Sequence, residues 1–282
     1  MLQRVAVLIL FLGLNIIYAK VNSVVSILPQ KRFVEAIGGD RVKVSVMVKP
    51  GNSPHSYEPK PSQMKDIAKA DVYFSIGVEF EEAWLPKFAN QNSKMRIVDT
   101  AENIKKIPIE AENHNKEGHK YESLDPHIWT SPANVKVIAK NIYNALVAID
   151  KNSSDYYRAN YKAFITKIDT TDKEIRKILA NAPKGAKFMV FHPSWGYFAK
   201  EYGLKQIAIE AGGKNPKPKQ VMHLIQEAKK EQVKAVFTAP EFSDKIAKQI
   251  AKELGVPVIK VSPLNPNWSQ NLIELAKAIA NR

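Results

Sequence analysis

The sequence predicts an α/β fold of two lobes, each a mostly parallel sheet covered by helices, joined by one long rigid backbone helix. Three observations predict it. Short apolar runs rich in Val, Ile and Phe alternate with longer amphipathic runs along most of the chain, which is the signature of parallel strands joined by crossover helices. The alternation occurs twice, on either side of a single long helical stretch at 154–181. Those 28 residues span roughly 42 Å at 1.5 Å per residue, more than one small lobe needs, so the stretch reads as a spine.

The elements follow in order. Val24–Leu28 reads as a first strand ended by Pro29, with a helix from Arg32 to Ile37 stopped by Gly38-Gly39. Val42–Val48 alternates Val with Lys and Ser, a strand with one wet face. A Pro/Gly/Asn/Ser loop runs from Lys49 to Pro61, and Ser62 is placed to cap a helix over Gln63–Ala70. Val72–Ile76 is a buried strand, Phe80–Phe88 a helix and Arg96–Asp99 a strand. Glu110–Ser123 is polar and aperiodic and reads as a loop. Pro132 opens a helix to Ile149. In the long stretch Tyr157, Tyr161, Phe164, Ile168, Ile175 and Leu179 recur at spacings of three, four or seven, and Pro183 follows its end. Beyond it the predicted strands are Lys187–Val190, Ile207–Ile209, Ala235–Thr238 and Val256–Val261. The predicted helices are Tyr197–Glu201, Val221–Lys230, Asp244–Leu254 and Trp268–Ala280.

Residues 1–19 stand apart. Arg4 is their only charge, an apolar run from Val5 to Leu14 follows it, and Ile17-Tyr18-Ala19 offers a cleavage site, so the segment reads as a secretory signal peptide cut near Ala19. An uncleaved anchor is the alternative, but the run is short for a membrane span. The domain reading is therefore a leader at 1–19, a first lobe at 20–150, a linking helix at 151–182 and a second lobe at 183–282. No cysteine occurs, so an exported chain has neither disulfides nor a lipid-accepting thiol, and a periplasmic location is expected. A metal site must then use His, Asp, Glu or water. Apolar content of 45% with 25% charged residues is that of a globular protein rather than a disordered one. The net charge of +14 invites a nucleic-acid or membrane reading. The lysines are spread along helical faces rather than clustered, however, and export also argues against nucleic acid. Neither a nucleic-acid partner nor stable membrane insertion is expected, and a monomer is.

Three histidines carry the functional signal: His55 in Ser53-Pro54-His55-Ser56-Tyr57-Glu58-Pro59, His127 in Asp125-Pro126-His127-Ile128-Trp129, and His192 in Phe191-His192-Pro193-Ser194-Trp195-Gly196-Tyr197-Phe198. An isolated histidine is more often structural than a ligand. These three each sit in a Pro-flanked turn, and His192 lies just past a strand end, where open α/β sheets bind ligands. The expectation is that they converge on one metal ion that the protein carries. Neutral imidazole suits zinc, copper, iron and nickel. Glu58 and Asp125 flank these ligands and read either as partners that fix an imidazole tautomer or as turn caps. Trp129, Trp195 and Tyr197 read as packing around the site. His114 and His119 read as solvated loop residues or as a weak second site, and His223 as a surface residue.

Taken together, these three motifs in this order, with Gly203-Leu204-Lys205-Gln206 and Phe237-Thr238-Ala239-Pro240-Glu241-Phe242, resemble the zinc- and manganese-binding proteins of bacterial ABC transporters, the cluster A-I or ZnuA/TroA-like solute-binding proteins. The resemblance runs from about residue 22 to the C-terminus. It implies a Zn2+ ion bound in a cleft between lobes, with His55 and His127 from the first and His192 from the second. It implies delivery to an inner-membrane ABC permease rather than catalysis. Many relatives place an aspartate ligand where this chain has Ser262 in Val261-Ser262-Pro263-Leu264. The fourth position is then left to water, Glu210, Glu241 or Ser262, and zinc is favoured over manganese, which prefers carboxylate and water. Two other readings compete: a three-His zinc hydrolase, although no HExxH, nucleophile elbow or general base beside the ligands is found, and a manganese-binding or adhesin member of the same family.

Overall fold

The computed structural model describes residues 20–109, 124–210 and 214–280. The expected signal peptide and the loop that carries His114 and His119 lie outside them. Strand β1 (Val21–Val25) is followed by helix α1 (Leu28–Gly38), strand β2 (Val42–Val46), helix α2 (Pro61–Ile67), strand β3 (Val72–Ser75), helix α3 (Glu79–Gln91) and strand β4 (Arg96–Asp99). Next come α4 (Pro132–Ile149) and the long α5 (Ser154–Leu179). The second half runs β5 (Lys187–Val190), α6 (Gly196–Tyr202), β6 (Lys205–Ala208), α7 (Pro218–Lys230), β7 (Val236–Thr238), α8 (Lys245–Leu254), β8 (Val258–Lys260) and α9 (Trp268–Ala280).

Each half builds one four-stranded sheet, ordered β2-β1-β3-β4 and β6-β5-β7-β8. Every strand pair in both sheets is parallel, so the expected two-lobe α/β architecture is met and the sheets are fully rather than mostly parallel. The two orders are the same topology written twice. In both, the chain leaves its first strand toward one edge and returns to build the other side, which puts a crevice at the C-terminal strand ends.

Two local expectations fail for identifiable reasons. Pro29 does not end a strand; it opens α1, where its fixed φ suits the first turn and its missing N–H costs nothing. The Ser26 N–H is taken instead by Gln30 Oε1 at 2.9 Å, so the strand ends three residues earlier than the apolar run suggests. Ser62 does not cap α2 but lies inside it. Pro61 starts that helix, and Gln63 Oε1 reaches back to the Lys60 N–H at 2.9 Å.

Helices α5 and α9 hold the halves together. Phe33 of α1, Phe164 of α5 and Trp268 of α9 meet at ring-centroid distances of 5.6 Å. Thr171 and Ser269 hydroxyls bond at 2.5 Å between α5 and α9. One apolar core extends from the first sheet through α4 and α5 to α9 and the near face of the second sheet. A second core lies on the far face of the second sheet, under α7 and α8. Two buried tryptophans add a latch: Trp129 Nε1 donates to the Pro263 carbonyl at 2.8 Å, and Trp268 Nε1 donates to the Trp129 carbonyl at 2.7 Å.

Candidate metal centre

The three histidines arrive from three kinds of turn. His55 follows β2 in a one-turn helix, Pro54–Ser56, where Ser53 Oγ accepts the His55 N–H at 3.3 Å. His127 is held by a short turn in which Asp125 Oδ1 accepts the His127 N–H at 2.9 Å. His192 leaves the C-terminal end of β5, and its carbonyl accepts the Ser194 N–H at 2.8 Å. Proline beside each histidine restricts the backbone, so few conformations are lost when the turn forms.

The fold brings the three rings together. Centroid separations are 5.8 Å for His55–His127, 4.6 Å for His55–His192 and 5.2 Å for His127–His192. Each Nδ1 is committed to a carboxylate: His55 to Glu79 at 2.8 Å, His127 to Asp125 at 2.8 Å and His192 to Glu210 at 3.0 Å. These bonds place the proton on Nδ1 and leave each Nε2 as the lone-pair atom facing its neighbours. Ligand atoms of all three lie within 4.8 Å of one another. His55 Nε2 and His192 Nε2 are 2.9 Å apart. Tetrahedral zinc with Zn–N near 2.0–2.1 Å would set the nitrogens about 3.3 Å apart, so this trio needs only small adjustments to hold such an ion.

Burial grades the three pairs. The side chains of His127 and Asp125 are 3% and 0% exposed, and those of His192 and Glu210 are 8% and 7%. His55 and Glu79 are 28% and 44% exposed, so this pair faces solvent. Burial holds the His192 pKa below the ordinary imidazole value despite Glu210 beside it, which keeps the ring neutral and ready to bind. Burial opposes ionisation of Glu79 more than any single contact favours it, but the bond to His55, the His55 and His127 charges and a backbone bond together outweigh burial and leave that carboxyl below its usual range. Phe242 stacks on His192 at 4.7 Å and 22°, and Trp129 lies edge-on to His127 at 5.4 Å.

The other expected residues sort plainly. Trp129, Trp195 and Tyr197 are buried. His223 is exposed. Asp125 is an imidazole partner, whereas Glu58 is exposed and Glu79 takes the role beside His55. Of the candidates for a fourth position, Glu210 is occupied by His192. Ser262 Oγ donates to Glu241 Oε1 at 2.8 Å and accepts the Leu264 N–H at 3.0 Å. Among the described residues, the converging ligand set is His55, His127 and His192. Sequence reading missed Glu79 and Phe242 and gave Glu210 a different role. Glu79 and Glu210 both sit just past strand ends, β3 and β6, which is the one signal that marks them.

Two parallel α/β lobes around a spine helix, with imidazoles converging in the cleft, define a solute-binding protein of the rigid-spine type. The chain belongs to the family described as ZnuA, zinc-uptake complex component A, periplasmic, whose model matches residues 24–282. It is 30% identical over 263 residues to the zinc-binding protein AdcA of Streptococcus pyogenes serotype M3, covering 87% of this chain and 50% of that protein. The chain thus spans about half the length of the AdcA relatives it matches. A crystal structure of ZnuA superposes with a TM-score of 0.85 at 40% identity, covering 94% of this chain and 99% of that one. A ZnuA deletion mutant solved with zinc bound gives the same score and identity, covering 94% and 98%. Members of this family are solute-binding proteins of metal transporters rather than enzymes, which sets aside the hydrolase considered above.

Proposed function

We propose that this protein captures Zn2+ in the interlobe cleft through His55, His127 and His192 and delivers it to an inner-membrane ABC permease for zinc uptake. The observation that carries the reading is the convergence of three imidazoles, each backed by its own carboxylate. That outer carboxylate raises ligand basicity and fixes ring orientation, as in metal-binding histidines generally. Water completes a tetrahedral site: Ser262 Oγ is engaged with Glu241 and the Leu264 N–H, Glu210 Oε1 is bonded to His192, and among the described residues Glu241 does not join the converging set. An all-imidazole set favours zinc over manganese. The relatives named for zinc support the same choice.

The working form is a periplasmic monomer, with residues 1–19 as its cleaved leader, 20–150 and 183–282 as the lobes and 151–182 as the link. Among the described residues no helix is long and apolar enough to cross a membrane. The test is metal analysis of protein purified from the periplasm without added metal, followed by calorimetric titration. One zinc per chain, lost in His55→Ala, His127→Ala and His192→Ala, is expected. A tight manganese site, or a zinc site that survives all three substitutions, refutes the proposal.

A further inference from the structure

Two buried polar atoms at the lobe junction have no hydrogen-bond partner: Asp125 Oδ2 and Gln206 Nε2. Asp125 is 0% exposed and Gln206 6%. Such groups cost about 1–3 kcal/mol each when left unpaired, and here they are complementary, a carboxylate oxygen and an amide N–H donor. They flank one point. A Cβ built on Gly196 would lie 2.6 Å from Asp125 Oδ2 and 3.4 Å from Gln206 Nε2, which puts the two atoms no more than about 6 Å apart. Gly196 does not have positive φ, so its backbone does not require glycine. What requires it is the approach of Asp125 across the junction.

The orientation of both groups is fixed by their other halves. Gln206 Oε1 accepts the Trp195 N–H at 3.1 Å, so its amide N–H turns toward Asp125. Asp125 Oδ1 is spent on His127, and the Asp125 carbonyl accepts the Tyr197 hydroxyl at 2.9 Å. The loop that follows His192 thereby docks on the segment that presents His127.

We infer that Gln206 is a positioning residue for the His127 ligand, acting through one bound water that it shares with Asp125 in the notch above Gly196. The water's two partners meet the minimum for a buried water. The link holds the Asp125 carboxylate in the plane of the imidazole it orients, and it ties that orientation to the second lobe. This inference rests on the tri-histidine zinc site proposed above.

The test is a double-mutant cycle on the full chain, read as zinc affinity by competition with a chelator. Gln206→Met keeps side-chain length and removes the amide. It should weaken zinc about tenfold, the lower end for loss of an outer-shell partner. In an Asp125→Ala background the same substitution should change affinity less than twofold, because its route to His127 is gone. A merely structural role for Gln206 would give the same loss in both backgrounds and overturns the inference. Gly196→Ala, whose Cβ displaces Asp125, provides a second variant should Gln206→Met fail to fold; it should also weaken zinc, and unchanged affinity overturns the inference. A high-resolution structure of the zinc-loaded protein should show the shared water, and a notch without one refutes that part. Wild-type protein that binds no zinc refutes the metal site itself, whereas wild-type binding matched by Gln206→Met refutes only this inference.

Discussion

Replacing each outer carboxylate by its amide measures how the site uses burial. Consider Glu210→Gln and Glu79→Gln. Both keep an oxygen that can accept the Nδ1–H, and both remove one negative charge. A zinc ion about 2 Å beyond Nε2 lies roughly 6 Å from either carboxylate oxygen. At that distance a +2/−1 attraction is roughly 5.5 kcal/mol at an effective dielectric of 20 and roughly 1.4 kcal/mol in bulk water. Glu210 is 7% exposed and sits near the first limit, while Glu79 is 44% exposed and sits near the second. Relief of the buried charge's desolvation and the retained hydrogen bond offset much of the larger figure. The expected loss is therefore about 10- to 100-fold in zinc affinity for Glu210→Gln, the range for an outer-shell partner, and under about tenfold for Glu79→Gln. The Glu79 contribution should shrink further between low and physiological salt and the Glu210 contribution should not. Chelator-competition calorimetry at two ionic strengths reads both. A Glu79→Gln loss equal to or above that of Glu210→Gln, or a salt-insensitive Glu79 contribution, would refute the reasoning.

Three further outcomes are expected. Ser262→Ala should leave zinc affinity unchanged while lowering stability by about 1–3 kcal/mol in thermal melts, since it removes the donor to Glu241; a weakened zinc site would make Ser262 a ligand after all. Zinc affinity should fall as pH drops from about 7 to 5, because protons compete for the imidazoles, and His192 should stay neutral below the ordinary imidazole range because burial lowers its pKa; a flat profile would exclude a tri-histidine site. Glu81 is buried, its pKa pushed up to about 7 by desolvation against the bonds it accepts from Ser26, Ile76 and Gly77. The folded state thus holds a proton that the unfolded state has released. The resulting stability is present below about pH 4.5 and lost as pH rises to about 7, so Glu81→Gln should gain on wild type across that window in denaturant titrations, and a pH-independent difference would contradict it.

Much of this arrangement is legible in the sequence, and the parts that are not share a cause. Helices α4 and α9 and strands β4 and β5 fall where the periodicity puts them, because long amphipathic or apolar runs are decided by burial alone. Two of the ends that slip do so at prolines, where Pro29 and Pro61 read as breakers but act as helix starters, while others such as β6, which starts at Lys205 rather than Ile207, shift by a residue or two without one. Each histidine is marked by a local Pro-flanked turn, so all three were visible. Of the carboxylates, only Asp125 lies close in sequence to its histidine. Glu210 lies 18 residues from His192, and Glu79 belongs to a different element from His55. No local pattern encodes such pairs; they exist only because parallel strands deliver their C-terminal ends to one edge.

The same graded burial bears on how the proposed cargo would be exchanged. His127 and His192 are enclosed by the contacts that join the halves: Tyr197 on the Asp125 carbonyl, Trp129 on the Pro263 carbonyl, Trp268 on the Trp129 carbonyl, and Glu201 accepting the Ser131 hydroxyl and the Ala133 N–H. Freeing either ring means breaking several buried bonds at once, each costly to leave unmade. His55 is held by one short turn and one solvent-facing carboxylate. On the proposed tri-histidine site it is the ligand whose release costs least, so exchange is expected to run past His55 with the two buried imidazoles in place. On that reading exchange should need movement of the Pro54–Ser56 turn rather than a hinge between lobes, so locking that turn with a cross-link should slow zinc release, and an unchanged release rate would refute the route.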